Sequence, residues 1–177
     1  TDTVITGESN KNTVTIDTSD GKVDVTFDDL KIDVSGGNKE DVSDKKEGDG
    51  SDKTEGDDGD GGSVHGGKAA VRVEGGGDVS IELDGKNELK SGGYNAGLEK
   101  NDERSEDGET VSGKLTIKDE NGKDGSLTAE GGDGGAGIGG GYENSAGNIE
   151  ITGGTVEAVG GEGAAGIGGG VYGTGHD

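Results

Sequence analysis

The sequence contains no cysteine, proline, methionine or tryptophan, and its aromatic residues are one phenylalanine and three tyrosines. The absence of cysteine excludes a disulfide-stapled scaffold, thiol catalysis and cysteine-ligated zinc. Without proline, and without glycine at every third position, a collagen triple helix is also excluded. Hydrophobic residues make up only 24% of the 177 positions, and no stretch approaches the roughly 18 apolar residues of a membrane span. We therefore expect no membrane insertion.

Positive charge is scarce, because 16 basic side chains stand against 39 acidic ones and the formal net charge is −23. Nucleic acids and anionic lipids are bound through clusters of Lys and Arg, so neither is an expected partner. Low hydrophobicity combined with high net charge is typical of disordered chains. The order of the residues overrules this expectation, because the chain carries an internal repeat.

Glycine accounts for 43 residues, many of them in two similar segments. Leu127–Gly141 and Val156–Gly170 are offset by 29 residues and are identical at ten of fifteen positions, including the ending AGIGGG. Less regular copies precede them, and the pattern amounts to about five units of roughly 20–35 residues. The apolar parts of the earlier copies are Val4–Ile5, Val14–Ile16, Val25–Phe27 with Leu30–Val34 and a closing part at His65–Val71, and Ile81–Leu83 with Leu89–Leu98.

Within each unit the apolar residues alternate with polar ones, as in Val79–Leu83 (VSIEL). A period of two indicates short strands with one buried face. One unit cannot bury that face alone, whereas stacked units share a narrow core. We therefore predict a single all-β domain over residues 1–177, a β-solenoid of the right-handed parallel β-helix type with about five short turns and glycine-rich corners. The alternative fold packs the glycine-rich stretches as polyproline II-like helices.

Two segments lack the alternation. Residues 38–64 contain almost only Asp, Glu, Gly, Lys and Ser, which predicts a flexible acidic insertion loop, and residues 99–110 predict a shorter charged loop. In the first, the carboxylates of Asp57, Asp58 and Asp60 are candidate calcium ligands, although their spacing is not that of an EF-hand. Apart from this possible calcium we expect no cofactor.

The glycine-rich stretches resemble two known binding motifs without matching their context. Residues 135–140 spell GxGxxG, but no helix-forming segment follows, so a dinucleotide site is not expected. In the calcium-binding nonapeptide pattern the place of the ligating Asp is taken by Ala136 and Ala165. Catalysis has little support, since the two histidines, His65 and His176, lie in different parts of the chain. We therefore expect no enzymatic activity.

The three tyrosines are the candidate ligand-binding residues. Tyr142 and Tyr172 follow equivalent GGG segments, so stacked units place them one above the other on the same edge, with Tyr94 in a comparable turn. Tyrosine rings bind sugars through their apolar faces and hydroxyls, and Asn144 stands nearby in the sequence. The alternative is that each ring covers a glycine-rich turn.

The stretches VTFDDLKIDVSGG and VSIELDGKNELKSGGYNAGL and the repeated AGIGGG ending resemble a glycine-rich (GAGIGGG-type) repeat of large surface-anchored proteins of Gram-positive bacteria. The resemblance implies an extracellular, cell-wall-attached adhesin-like module within a longer polypeptide. It implies a non-catalytic role in binding a host glycan or host protein, such as mucin or immunoglobulin. Three alternatives remain: a stalk or spacer without a ligand, a polysaccharide-acting β-helix enzyme, and a calcium-dependent carbohydrate-binding domain.

Overall fold

The computed structural model describes residues 3–36, 67–105 and 107–176, and their regular structure consists of β-strands. The all-β class predicted from the alternation is confirmed. In this part of the chain there is no helix that is long and apolar enough to cross a membrane. The strands in chain order are β1 (Thr3–Ser9), β2 (Val14–Asp17), β3 (Val23–Asp33), β4 (Val71–Glu74), β5 (Val79–Asp84), β6 (Lys86–Lys90), β7 (Leu98–Lys100), β8 (Glu103–Arg104), β9 (Thr110–Val111), β10 (Leu115–Lys118), β11 (Ser126–Glu130), β12 (Ile138–Gly139), β13 (Ala146–Gly147), β14 (Ile149–Ile151), β15 (Thr155–Val159), β16 (Ile167–Gly168) and β17 (Gly175–His176).

The strands pair mostly in parallel and form three ladders. The first ladder joins β3, β5, β10 and β14, and the second joins β3, β6, β11 and β15. Because β3 belongs to both ladders and β1 pairs with β3 as well, these strands form one strongly curled sheet of eight strands. The third ladder is a separate parallel sheet in the order β16, β12, β7, β4, β2.

Strand β3 changes ladder at a bend centred on Asp29, whose φ is +50°. The Asp29 carboxylate accepts a hydrogen bond of 2.9 Å from the backbone N–H of Lys86, which follows the bend between β5 and β6. That second bend is at Gly85, with φ +60°. A Cβ atom there would lie 2.2 Å from Asp29 Oδ1, so the close approach of the two bends requires glycine.

Equivalent apolar residues lie in register across each ladder. Val25, Ile81, Ile117 and Ile151 are successive partners in the first ladder. The second ladder aligns Ile32, Leu89, Ala129 and Ala158, and the third aligns Val14, Val71, Leu98, Ile138 and Ile167. The buried members of all three ladders form one continuous hydrophobic core. Many short strands thus share the apolar surface that none of them could bury alone.

The two predicted loops lie differently with respect to the strands. The acidic insertion at residues 38–64 lies outside the described residues. In the 99–110 segment, the first two residues belong to β7 and are buried, and an antiparallel hairpin of β8 and β9 follows. The charged excursion therefore starts after Lys100, because Glu99 and Lys100 find partners in the interior.

Candidate functional site

The three predicted tyrosines form a contiguous row on one edge of the protein. Tyr94 lies in the turn between β6 and β7, Tyr142 in the turn after β12, and Tyr172 in the turn after β16. The ring centroids of Tyr94 and Tyr142 are 4.8 Å apart, and those of Tyr142 and Tyr172 are 5.7 Å apart. The interplanar angles of 61° and 85° make both contacts edge-to-face, a preferred geometry of aromatic pairs.

Exposure increases along this row. Tyr94 and Tyr142 are half-buried, whereas Tyr172 is 81% exposed and presents the largest free aromatic surface of the row. Partial burial raises the pKa of the Tyr142 hydroxyl above its usual 10.0, and the charge of Glu143 adds to the rise. Tyr142 therefore stays neutral at physiological pH and keeps a hydroxyl that donates and accepts hydrogen bonds.

The turns that carry the tyrosines are bonded to one another through the backbone. The N–H of Tyr142 donates to the carbonyl of Tyr94 at 2.8 Å, and the N–H of Glu143 donates to the carbonyl of Val171 at 2.7 Å. The Tyr142 ring also covers the turn at Gly134, where φ is +75° and a Cβ atom would lie 2.8 Å from Tyr142 Cδ2. Backbone hydrogen bonds therefore hold the turns of the row together. The Tyr142 ring packs against the turn at Gly134 on one side and is partly exposed.

Asn144, the fourth predicted ligand residue, contributes to the turn itself. Its Nδ2 donates to the carbonyl of Tyr142 at 2.9 Å, and its backbone N–H donates to the carbonyl of Gly141 at 3.0 Å. Next to it, the hydroxyls of Ser145 and Thr174 are 3.0 Å apart. Asn144 thus positions Tyr142, and the hydroxyl pair adds polar groups near the row.

The candidate calcium ligands Asp57, Asp58 and Asp60 lie outside the described residues. Within the described ranges, no group of three or more His, Asp or Glu side chains is arranged to hold a metal ion. Ala136, which occupies the ligand position of the nonapeptide pattern, is fully buried.

A buried charged cluster that sequence reasoning missed lies at β4 and β7. The side chain of Glu99 is 2% exposed, and its Oε1 lies 2.7 Å from Nη2 of Arg72. Glu99 also accepts hydrogen bonds from the backbone of Ala96 at 3.1 Å and from Asn101 Nδ2 at 3.3 Å. Burial raises the pKa of the Glu99 carboxyl, and the Arg72 charge opposes that rise. The same Arg72 nitrogen donates to Asn95 Oδ1 at 3.1 Å.

Lys100 is buried beside this cluster, on the opposite face of β7. Its Nζ donates to Ser112 Oγ at 3.1 Å, and burial lowers the pKa of the amine. No local sequence signal marks these residues, because Glu99 becomes the register partner of Arg72 only when β4 and β7 pair. The cluster borders the turns of the tyrosine row, because Arg72 donates to Asn95 and the N–H of Gly141 donates to Asn101 Oδ1 at 2.9 Å. Its charges are paired with each other, although Arg72 Nε has no hydrogen-bond partner among the described residues. This pairing favours a structural role.

A shallow open groove of about 680 Å³ follows the outer face of the first ladder. Its acidic groups bind other groups of the protein: Asp84 lies 2.6 Å from Lys123 Nζ, and Glu82 accepts from the backbone of Glu120 at 2.7 Å. Hydrogen bonds to Lys123 and Asn121 lower the pKa of Asp84. A lowered pKa at Asp84 is the opposite of the raised pKa that a general acid needs.

Strand pairing therefore defines the class of the protein as all-β with mostly parallel sheets. No protein-family model matches the chain, and no curated protein or solved structure matches it.

Proposed function

We propose that the chain is a β-solenoid, a right-handed parallel β-helix with about five short turns and glycine-rich corners. We propose further that it is a non-catalytic binding module of an extracellular bacterial surface adhesin. Its ligand is a host glycan or a host protein such as mucin or immunoglobulin, bound at the tyrosine row.

The order in which the chain visits the ladders supports the solenoid. Strands β5, β6 and β7 belong to the first, second and third ladders in turn. Strands β10, β11 and β12 repeat this order, and so do β14, β15 and β16. A chain that passes through three parallel ladders in a constant order and returns to the first adds one turn each time.

The observation that carries the binding proposal is the continuous row of Tyr94, Tyr142 and Tyr172, with Tyr172 81% exposed. A mostly exposed tyrosine leaves apolar surface in water, and contact with a sugar ring or an apolar side chain removes that surface from water. The net charge of −23 favours ligands with a basic or neutral surface and steers their approach.

A glycan array and a pull-down from mucus and serum, read by mass spectrometry, test the proposal. We expect a defined ligand whose binding is lost in Tyr172→Ala and retained in Tyr172→Phe, because the ring face makes the contact. Val4→Ala is the matched control, since Val4 is also exposed but lies in β1, far along the ladders from Tyr172. Circular dichroism of each variant establishes that the fold is unchanged.

The alternative with a supporting observation is a spacer without a ligand, because the Tyr142 ring covers the backbone at Gly134. Blank arrays and blank pull-downs would favour the spacer. Binding that survives both Tyr142→Ala and Tyr172→Ala but is lost when residues 38–64 are deleted would move the site to the acidic insertion. Release of reducing ends from a polysaccharide panel would contradict a non-catalytic role.

A further inference from the structure

The two ends of the ladders differ in the side chains that they present. At the C-terminal end, Ile151, Val159 and Ile167 are 39%, 46% and 47% exposed. Ile117 and Ile138, which occupy the same register positions as Ile151 and Ile167 one strand earlier, are fully buried. Ile151 and Ile167 are therefore residues of the interior type that nothing in the described chain covers. Val159 differs from them, because it aligns with Glu130 and Lys90 on the outward face of the second ladder.

The N-terminal end is polar by comparison. Strand β1 presents one exposed apolar residue, Val4, among the exposed Thr3, Thr6 and Glu8, and its pairing with β3 shifts register between Thr6 and Gly7. Irregular pairing and polar side chains are the usual means by which an edge strand is protected from further pairing. The N-terminal end thus has the features of a cap, and the C-terminal end lacks them.

The C-terminal end also offers backbone groups in an ordered arrangement. Within residues 3–36, 67–105 and 107–176, strands β14, β15 and β16 each have a neighbour on one side only, so all three ladders end there with an open parallel edge. Strand β17 pairs with β13, matching Gly175 to Ala146 and His176 to Gly147. The offset of this pairing is 29 residues, and a longer chain that kept this offset would reach the open edge of β14, which starts at Ile149.

The charges along the ladders also indicate which side chain would fit next to the last strand. Neighbouring strands place Lys beside Glu, as in Lys31 with Glu88 at 3.4 Å and Lys90 with Glu130 at 2.9 Å. Glu157 aligns with Thr128 and Glu88 in the second ladder. On the exposed last strand it has no cationic partner among the described residues. A strand that continued the ladder with Lys opposite Glu157 would give this carboxylate the kind of partner that Lys31 gives Glu88.

We propose that the C-terminal end of the ladders is an interface for one further unit of the same repeat. That unit pairs in parallel with β14, β15 and β16, covers Ile151 and Ile167 with apolar residues, and carries a basic residue opposite Glu157. The proposal rests on the proposed solenoid but does not depend on ligand binding. The occupant is a repeat unit, because only a strand pattern with this spacing meets three open edges at once.

Extending the full chain tests this interface. A copy of residues 149–170, carrying Glu157→Lys within the copy, is fused directly after Asp177, so that each added residue stands 29 positions after its original. The control extension has the same length, but its apolar residues equivalent to Ile149, Ile151, Val156 and Ile167 are replaced by Asp. Amide hydrogen exchange is then measured in β10, β14 and β15 of the original 177 residues.

We expect amides of β14 and β15 that face the open edge to exchange at least about tenfold more slowly in the matched extension than in the control. Equal exchange in the two extended chains would overturn the interface proposal. If β10 is protected from exchange in the same experiment, the proposed solenoid is not contradicted. Rapid exchange in β10 in all chains would overturn both. Concentration-dependent protection of the 177-residue chain, with a dimer in sedimentation that Ile167→Asp abolishes, would make a second copy the occupant and overturn the proposal.

Discussion

Arg72 and Glu99 form an ion pair of 2.7 Å in which the carboxylate is almost fully buried and the guanidinium is partly exposed. The two residues lie on neighbouring strands, β4 and β7, as register partners. Backbone and side-chain donors from Ala96 and Asn101 satisfy the remaining capacity of the carboxylate. This arrangement keeps one charge of a strongly acidic chain inside the fold.

The stability of the wild type relative to Glu99→Gln should depend on pH. Burial raises the pKa of Glu99 above 4.5, its usual value, so the folded chain binds this proton more tightly than the unfolded chain. The stability that the wild type gains from the proton is fully present below pH 4.5 and is lost as the pH rises through the folded pKa. The free energy of unfolding of the wild type relative to Glu99→Gln should therefore fall as the pH rises, measured by urea denaturation. A difference that increases with pH would contradict this account.

Removing the cation should be costly at neutral pH. Arg72→Met leaves the Glu99 carboxylate buried without its ion-pair partner, and we expect a loss of about 2 kcal/mol, since the exposed part of Arg72 is screened by water. The double variant Arg72→Met with Glu99→Gln should recover part of this loss. A double-mutant cycle on the free energy of unfolding checks the coupling, and additive losses would contradict a direct pair.

Ile117 and Ile151 offer a matched test of stacking, because they are register partners of the same residue type. Ile117 is fully buried between two neighbouring strands, and Ile151 is 39% exposed on the last strand. We expect Ile117→Ala to cost about 2–5 kcal/mol and Ile151→Ala to cost clearly less, because only the first leaves a closed cavity. Similar losses in chemical denaturation would mean that the ladder is not stacked in this order.

Asn87 should be important for stability although it is polar. It is fully buried, its Oδ1 accepts from the N–H of Leu30 at 2.9 Å, and its Nδ2 donates to the carbonyls of Asp84 and Ser126 at 3.0 Å. Asn87→Ala leaves these backbone groups without partners, and we expect a loss of about 1–3 kcal/mol in thermal or urea unfolding. The exposed Asn12→Ala is the control and should change stability by less than about 0.5 kcal/mol. Equal effects would contradict the role of Asn87.

The strand class was predictable because alternation is local: Leu115 and Ile117 lie two residues apart and face the same core. The neighbourhood of Tyr142 and Tyr172 was predictable from the 29-residue repeat. The burial of Glu99 was not predictable, because a charged residue is buried only when a partner such as Arg72 lies beside it. The pairing of distant strands determines which partner that is. The bend at Asp29 was also missed, since its stabilising contact is with Lys86, 57 positions away.

If the units stack, engineered disulfides should join register partners on neighbouring strands, and the chain suits this test because it has no cysteine of its own. Ser80 and Thr116 are register partners in the first ladder, and Glu88 and Thr128 are partners in the second. The account predicts rapid, near-complete oxidation of the double variants Ser80→Cys with Thr116→Cys and Glu88→Cys with Thr128→Cys, measured by free-thiol titration of the folded protein. Ser80→Cys with Lys118→Cys, displaced by two residues in the register, should oxidise slowly. Equally fast oxidation of the displaced pair, or none in the matched pairs, would contradict the stacked arrangement.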